Sequence, residues 1–545
     1  MSKITENKYG KILGVTGNIL LWATLLAYFI VVPLYFVNGY ERIATRKYNC
    51  FMTISKYAAI VLGVYILLYL STWGFSKEER VAFKPLRKTD IGMLAFLCIG
   101  FLSYRISPYR TVGLSNKADG EWFYEGSLYG AKGWFMGFIL FAVLIFLYFA
   151  ISRFFQYSSR IWIPILIVSS VEFLWGMLNR YGVYPIEMEF GNSSFISSFG
   201  NINWFAGFVS VIAPIVVGLF YSSKSKLQTC LLILPLVFSH GMVLLNNSDS
   251  IVFGYVIMFY VLFLYSLDAK EKVIRFSRVL LSFTTVGMVL FFIDKAFPVA
   301  KEGTSAFADI FSKGFTAVLI FVLSLVFVAV MNLCDGNKLN YSEKVGKKIR
   351  TITLILSGAV FALVVILIIV NTATGGALPV IGSSSVFYFD SEWGSRRGAT
   401  WTSGAMLFKD LSFGRKLIGV GPDMFYFGLK DSDAAFAYAT SVFGNSRLTN
   451  AHNELLTLLI NVGILGVTAF IFAVVTAVKT FITSAKERPY IIIFALSVIC
   501  YIANNMFSFE QITNTPFFFL VLSMGAAAVV RREGRERRET KRKKR

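Results

Sequence analysis

The feature that most constrains this chain is a series of about fourteen apolar runs, each near the length that crosses a bilayer. A helix needs roughly 20 apolar residues to span a hydrocarbon core of about 30 Å. Such runs lie at 13–36, 54–72, 89–104, 134–152, 161–180, 203–221, 227–246, 251–267, 276–293, 315–333, 351–371, 453–478, 489–508 and 515–530. Water cannot satisfy backbone N–H and C=O groups inside hydrocarbon, so runs of this length are expected as helices. Composition agrees: 56% of the 545 residues are hydrophobic and 15% are charged, against about 25% charged in soluble domains. A soluble enzyme, a disordered chain and a secreted disulfide scaffold are set aside. The expected fold is an all-α polytopic membrane protein of about 12–14 transmembrane helices. The first run is too long for the apolar core of a signal peptide and has no small-residue cleavage site after it, so it is expected to remain as an anchor.

The formal net charge of +22, from 53 Lys+Arg against 31 Asp+Glu, is concentrated. Segments 76–88 and 336–350 hold five Lys/Arg each, and the tail 531–545 holds ten. The positive-inside rule assigns all three to the cytoplasm, which fits fourteen spans with both termini inside. The expected location is a bacterial cytoplasmic membrane. The tail is read as a solvated end touching anionic lipid head groups, not as a nucleic-acid site. Five cysteines (Cys50, Cys98, Cys230, Cys334 and Cys500) are scattered without pair spacing, and only two histidines occur. This pattern points to neither disulfides nor a metal site.

With both ends inside, four outer segments stand out: 105–133, 181–202, 294–314 and 372–452. The last is too long for a passive connector, and loops on a helical scaffold commonly carry function. It holds seven Lys/Arg, namely Arg396, Arg397, Lys409, Arg415, Lys416, Lys430 and Arg447. Residues 399–411 have helical periodicity with Trp401, Ala405, Phe408 and Leu411 on one face, which predicts a helix lying in the membrane interface, opened by Gly394 or Ser395. Arg396 and Arg397 then sit near its N-terminal end, where backbone N–H groups favour anions. The string GVGPDMF (419–425) reads as a tight turn and lacks the third glycine of a dinucleotide fingerprint. Thr449 or Asn450 is expected to cap the helix of the next span, placing His452 and Asn453 at its outer mouth. A titratable imidazole there is a functional candidate. His240, inside an apolar run, reads as structural.

These residues carry a family resemblance. NAHNELLTLLINVGILG (450–466) resembles the His-Asn signature of the O-antigen ligase and polysaccharide polymerase superfamily. RRGATWTSGAMLFKDLSFGRKLIGVGPDMF (396–425) resembles that family's arginine, then tryptophan four residues on, then helix and G-x-G turn, with Arg397 as the matching arginine. SFGNINWFAGF (198–208) is similar to its Gly-Asn-x-Asn-x-x-Ala segment. Together the matches cover roughly 195–475 and define a core of 195–480, with N-terminal spans in 1–194, C-terminal spans in 481–530 and the tail beyond. The family also carries a Ser-Arg pair at an earlier outer end, and here NNSDSIVF (246–253) has Asp249 in the arginine's place.

The resemblance implies a membrane glycosyltransferase whose donor is a glycan on polyprenyl (undecaprenyl) pyrophosphate. The acceptor would be a glycan, a lipid core, a cell-wall polymer or a protein, and no metal, cofactor or nucleotide sugar is implied. Attack of a sugar hydroxyl on the anomeric carbon expels pyrophosphate, which needs fixed cationic donors. Arg397 is assigned as pyrophosphate clamp and His452 as general base or acceptor positioner, with Arg396, Arg180 and Lys409 as further cationic candidates. Asn201 and Asn203 either bind sugar hydroxyls or cap a span, Asn453 stands beside His452, and Trp401 either stacks on a sugar or anchors at the interface. Competing readings are a lipid-linked glycan flippase or transporter, and a shape- or division-type cell-wall synthase using an outer carboxylate among Asp390, Glu392, Asp423 and Asp431. A non-catalytic scaffold would leave the loop pattern unexplained.

Overall fold

The computed structural model describes residues 8–71, 86–115, 123–192, 194–297, 305–336, 341–382, 384 and 386–543. Residues 76–85, 337–340 and 544–545 of the three basic segments lie outside them. The chain is an all-α polytopic membrane protein: among the described residues, eleven helices are long and apolar enough to cross a membrane. Three shorter apolar helices, Phe138–Phe154, Pro489–Asn505 and Thr515–Val529, account for the remaining runs. Strands are confined to two small antiparallel ribbons, Gly113–Ser115 with Phe123–Glu125 and Phe195–Ile196 with Gly200–Asn201.

Burial differs sharply between helices of similar hydropathy, which shows where the core lies. Ile202–Tyr221 is buried over nearly its whole length, packed by Ile492–Asn505 and Lys226–Leu245. Glu343–Ala373 is the most apolar span, yet none of its apolar window is buried. A helix that is apolar all round and uncovered by protein needs lipid around it. One continuous apolar cluster joins the bundle.

The long segment 372–452 has its own small core, in which Leu407, Val420, Met424, Phe425, Leu429 and Ala439 meet. It docks on the bundle through two glycines. The span Glu454–Ala485 is not the continuous helix its sequence suggests, because Gly463 breaks it at φ 72°, ψ −178°. The opened backbone pairs with the 419–421 turn: Val420 N–H donates to Ile460 O at 3.0 Å and Gly421 N–H to Asn461 O at 2.9 Å. A Cβ on Gly463 would lie 2.3 Å from the Leu417 carbonyl, and one on Gly419, at φ 88°, 2.3 Å from Asn461 O. The turn expected at 419–425 is thus also the docking contact, made by its backbone. Asp423 holds its far side, accepting from Ala131 N–H at 2.7 Å and Met136 N–H at 2.9 Å.

Candidate functional site

The helix carrying Arg397 covers the periodic stretch 399–411 up to Asp410, but it opens after Gly394 and Ser395. Gly394, Ser395 and Arg396 take three successive left-handed conformations, at φ 59°, 60° and 69°, and regular helix starts at Arg397. Non-glycine residues in that region are held by their surroundings at a cost of about 1–3 kcal/mol each. The packed face is Ala399, Thr400, Ser403 and Leu407, while Ala405 of the expected apolar face is exposed. The other three residues of that face are half-buried: Phe408 and Leu411 pack against the small core of the segment, and Trp401 against Trp393 and Phe507.

His452 is placed by a short polar turn. Neither Thr449 nor Asn450 caps the following helix. Asn450 Oδ1 accepts from His452 N–H at 2.9 Å, which sets His452 at φ 48°. Asn453 is the cap instead, accepting from Leu456 N–H at 3.0 Å and donating to Met506 O at 3.1 Å. Thr400 Oγ1 donates to Ala451 O at 2.8 Å, joining this turn to the Arg397 helix.

Both elements converge on the end of the run expected at 489–508 and the short stretch that follows it. Arg397 Nε donates to Phe507 O at 2.7 Å, and its Nη1 to Gly394 O at 2.6 Å. The His452 ring packs edge-to-face on Phe509 at 4.9 Å. The whole of 508–514 is buried although it includes Ser508, Glu510, Gln511, Thr513 and Asn514. The signal was present: NNMFSFEQITNT (504–515) is dense in polar residues between two apolar runs. Buried polar groups are normally hydrogen-bonded, yet both side-chain polar atoms of Gln511 and the Asn514 amide nitrogen have no hydrogen-bond partner here among the described residues.

A cavity of about 210 Å³ opens beside this junction, lined by Arg396, Arg397, Arg447, Thr400 and His452 among others. It is smaller than the ~300–1,000 Å³ of ordinary ligand pockets, a size suited to one head group. Arg447 was one cation among seven in the sequence. The structure brings it to the site, where Nη1 donates to Glu125 at 2.9 Å and the guanidinium lies 4.7 Å from the Tyr426 ring. Arg396 is paired with Glu392 at 3.4 Å. Burial, with Arg397 nearby, pushes the His452 imidazole down to about 4, so it is neutral near pH 7. Burial also lowers Arg397, an effect that Asp249 opposes. The carboxylate standing where the family's second arginine is expected thus faces the Arg397 charge.

The other candidates are dispersed. Asn201 caps its helix, accepting from Asn203 N–H at 2.9 Å, and Asn203 Oδ1 accepts from Ser248 Oγ at 2.9 Å. Their string reaches the site indirectly: Trp204 meets Trp134 at 5.9 Å, and Trp134 meets Phe509 at 4.9 Å. Trp401 lies between Trp393 at 5.2 Å and Phe507 at 5.9 Å, beside the cavity and not among its lining residues. Arg180 is buried at the end of its span and Lys409 is exposed at the far end of the Arg397 helix. Neither lines the cavity. His240 is satisfied within the bundle by Tyr255 at 2.9 Å and Ser282 at 3.1 Å. Among the described residues, no group of three His, Cys, Asp or Glu side chains is placed to hold a metal ion. No protein-family model matches the chain, and no curated protein matches it.

Proposed function

We propose that this chain is a membrane glycosyltransferase of the O-antigen ligase and polymerase kind. It transfers or polymerises a glycan from a polyprenyl-pyrophosphate donor onto a glycan, lipid or cell-surface acceptor at the outer face of a bacterial cytoplasmic membrane, with both termini inside. The observation that carries this reading is one cavity lined by Arg396, Arg397, Arg447 and a neutral His452. Arg397 is already oriented by two carbonyls, so its charge is preorganised for the leaving pyrophosphate. Arg396 and Arg447 add charge on the same cavity. His452, with no protein partner on its ring nitrogens among the described residues, accepts the proton of the attacking hydroxyl or orients it.

Two observations weigh against the competing readings. A flippase path needs exchangeable charges within the spans. Lys47 instead donates to the carbonyls of Val32 at 2.9 Å, Pro33 at 2.6 Å and Tyr35 at 3.2 Å, and Glu172 is held by Ser197 and Ser198. The carboxylates a synthase would use are committed as well, Asp423 to Ala131 and Met136, Asp431 to Tyr109, Glu392 to Arg396 and Asp390 to Glu392 N–H. Purified protein in liposomes, given polyprenyl-pyrophosphate-linked glycan and a glycan acceptor without metal, should release polyprenyl pyrophosphate. Full turnover by both Arg397→Ala and His452→Ala proteins would overturn the assignment.

A further inference from the structure

At the opposite end of the bundle from His452, a second cavity of about 460 Å³ lies where Ile202–Tyr221 turns into Lys226–Leu245 against the helix Lys270–Ala296. Four cations line it, Lys224, Lys226, Arg275 and Arg278, and among the described residues no carboxylate does. The wall also offers the hydroxyls of Ser223, Ser225 and Thr229. Arg275 is fixed rather than free: its Nη1 donates to Tyr221 O and Ser223 O, both at 3.2 Å. Four like charges around one concavity repel each other unless an anion sits among them.

The cavity is also continuous with lipid-facing surface. Ile233 lines it, and Leu227, Leu231 and Leu234 are strongly exposed on the same helix. On a helix that is apolar enough to span a membrane, these residues meet acyl chains, while the cations stand one turn or two toward its end, at head-group depth. We propose that this cavity binds the phosphate head group of an anionic phospholipid, with the acyl chains lying along the exposed leucines of Lys226–Leu245. The site shares no lining residue with the cavity beside His452. It takes a structural or regulatory lipid from the leaflet at that end of the bundle, whichever reaction the outer cavity performs.

Cys230 lines the cavity and is exposed, so it reports occupancy without any substitution. Full-length protein is reconstituted in phosphatidylcholine vesicles, and phosphatidylglycerol is titrated in. Maleimide labelling at Cys230, mapped by peptide mass, should fall by at least about fivefold as the site fills, since several lysines and arginines each contribute near a charged surface. Native mass spectrometry should show retained phosphatidylglycerol falling at least about tenfold in a Lys224→Gln/Lys226→Gln/Arg278→Gln protein, by the same per-charge contribution. A Lys344→Gln/Lys348→Gln protein, which removes exposed charges elsewhere, should retain it. Equal loss in both proteins, or labelling unaffected by phosphatidylglycerol, overturns the proposal. Protection by millimolar inorganic phosphate alone, with no retained lipid, also overturns it and assigns a free-phosphate site.

Discussion

Arg397 Nε donates to the main-chain carbonyl of Phe507 at 2.7 Å, so the best-placed cation of the outer cavity is held by backbone from the far end of the chain. A guanidinium is a rigid planar fork, and an ammonium cannot make the same bonds in the same geometry. Arg397→Lys should therefore keep the charge and lose the orientation. Removing one preorganised donor to a developing anion costs about 10²–10³ in kcat, and that loss is expected in a liposome assay with lipid-linked donor, with protein abundance unchanged. Arg396→Ala, at a position already exposed and paired with Glu392, should lose about tenfold or less by the same scale.

The His452 imidazole is pushed down to about 4 by burial first and by the Arg397 charge second. A base must be unprotonated to act, and this one is neutral well below the usual histidine range. The acid limb of kcat/KM should thus fall near pH 4–5, not near the ~6.5 of a free imidazole. Arg397→Gln removes one of the two causes, so the limb should move to higher pH. A pH–rate profile checks both statements, provided the residual activity of the variant is measurable. A limb that stays near the free-imidazole value in the unmodified protein would remove His452 as the titrating group.

Much of this arrangement was legible in the residues. The fourteen apolar runs all became helices because hydrocarbon leaves backbone polar groups no other partner. His452 and Arg397 were legible as polar, helix-end residues. Arg447 was not, because a cation's role depends on which carboxylate and aromatic rings it meets, here Tyr426 nearby in the chain and Glu125 some 300 residues away. Asn453 displaced Asn450 as cap because Asn450 was already occupied with His452 N–H. Residues 504–508 were read as the end of an apolar run, and 509–514 only as the interval before the next. The structure shows that 508–514 is buried and that Phe507 and Met506 bond to Arg397 and Asn453. Gly463 looked like an ordinary member of a helical run, and its break is visible only once the 419–421 turn lies against it.

That break makes a sharp prediction. Gly463 needs φ 72° and has the Leu417 carbonyl 2.3 Å from where a Cβ would stand. Gly463→Ala should detach the long segment, lowering thermal stability by the ~1–3 kcal/mol typical of forced backbone strain and reducing activity together with it. Gly358 is the control. It is a mid-helix glycine with open space around its Cβ position, so Gly358→Ala should be neutral or stabilising by up to about 1 kcal/mol. Thermal unfolding of the two variants in one detergent compares them directly.

Asp423 supplies a pH test of the same docking contact. Its carboxyl is pushed up to about 7, chiefly by burial, against the opposing pull of the Ala131 and Met136 N–H groups. Between the ordinary aspartate value of about 3.9 and that raised value, the folded chain binds a proton that the unfolded chain releases. Stability from this group is then fully present at low pH and declines as pH rises through the folded value. Asp423→Asn keeps an acceptor oxygen for both N–H groups and carries no charge. Melting temperatures measured from pH ~5 to pH ~8.5 should show the unmodified protein losing ground to Asp423→Asn as pH rises, most steeply below pH ~7. Parallel pH curves for the two proteins would show that Asp423 is already ionised throughout, and that the two N–H bonds outweigh burial.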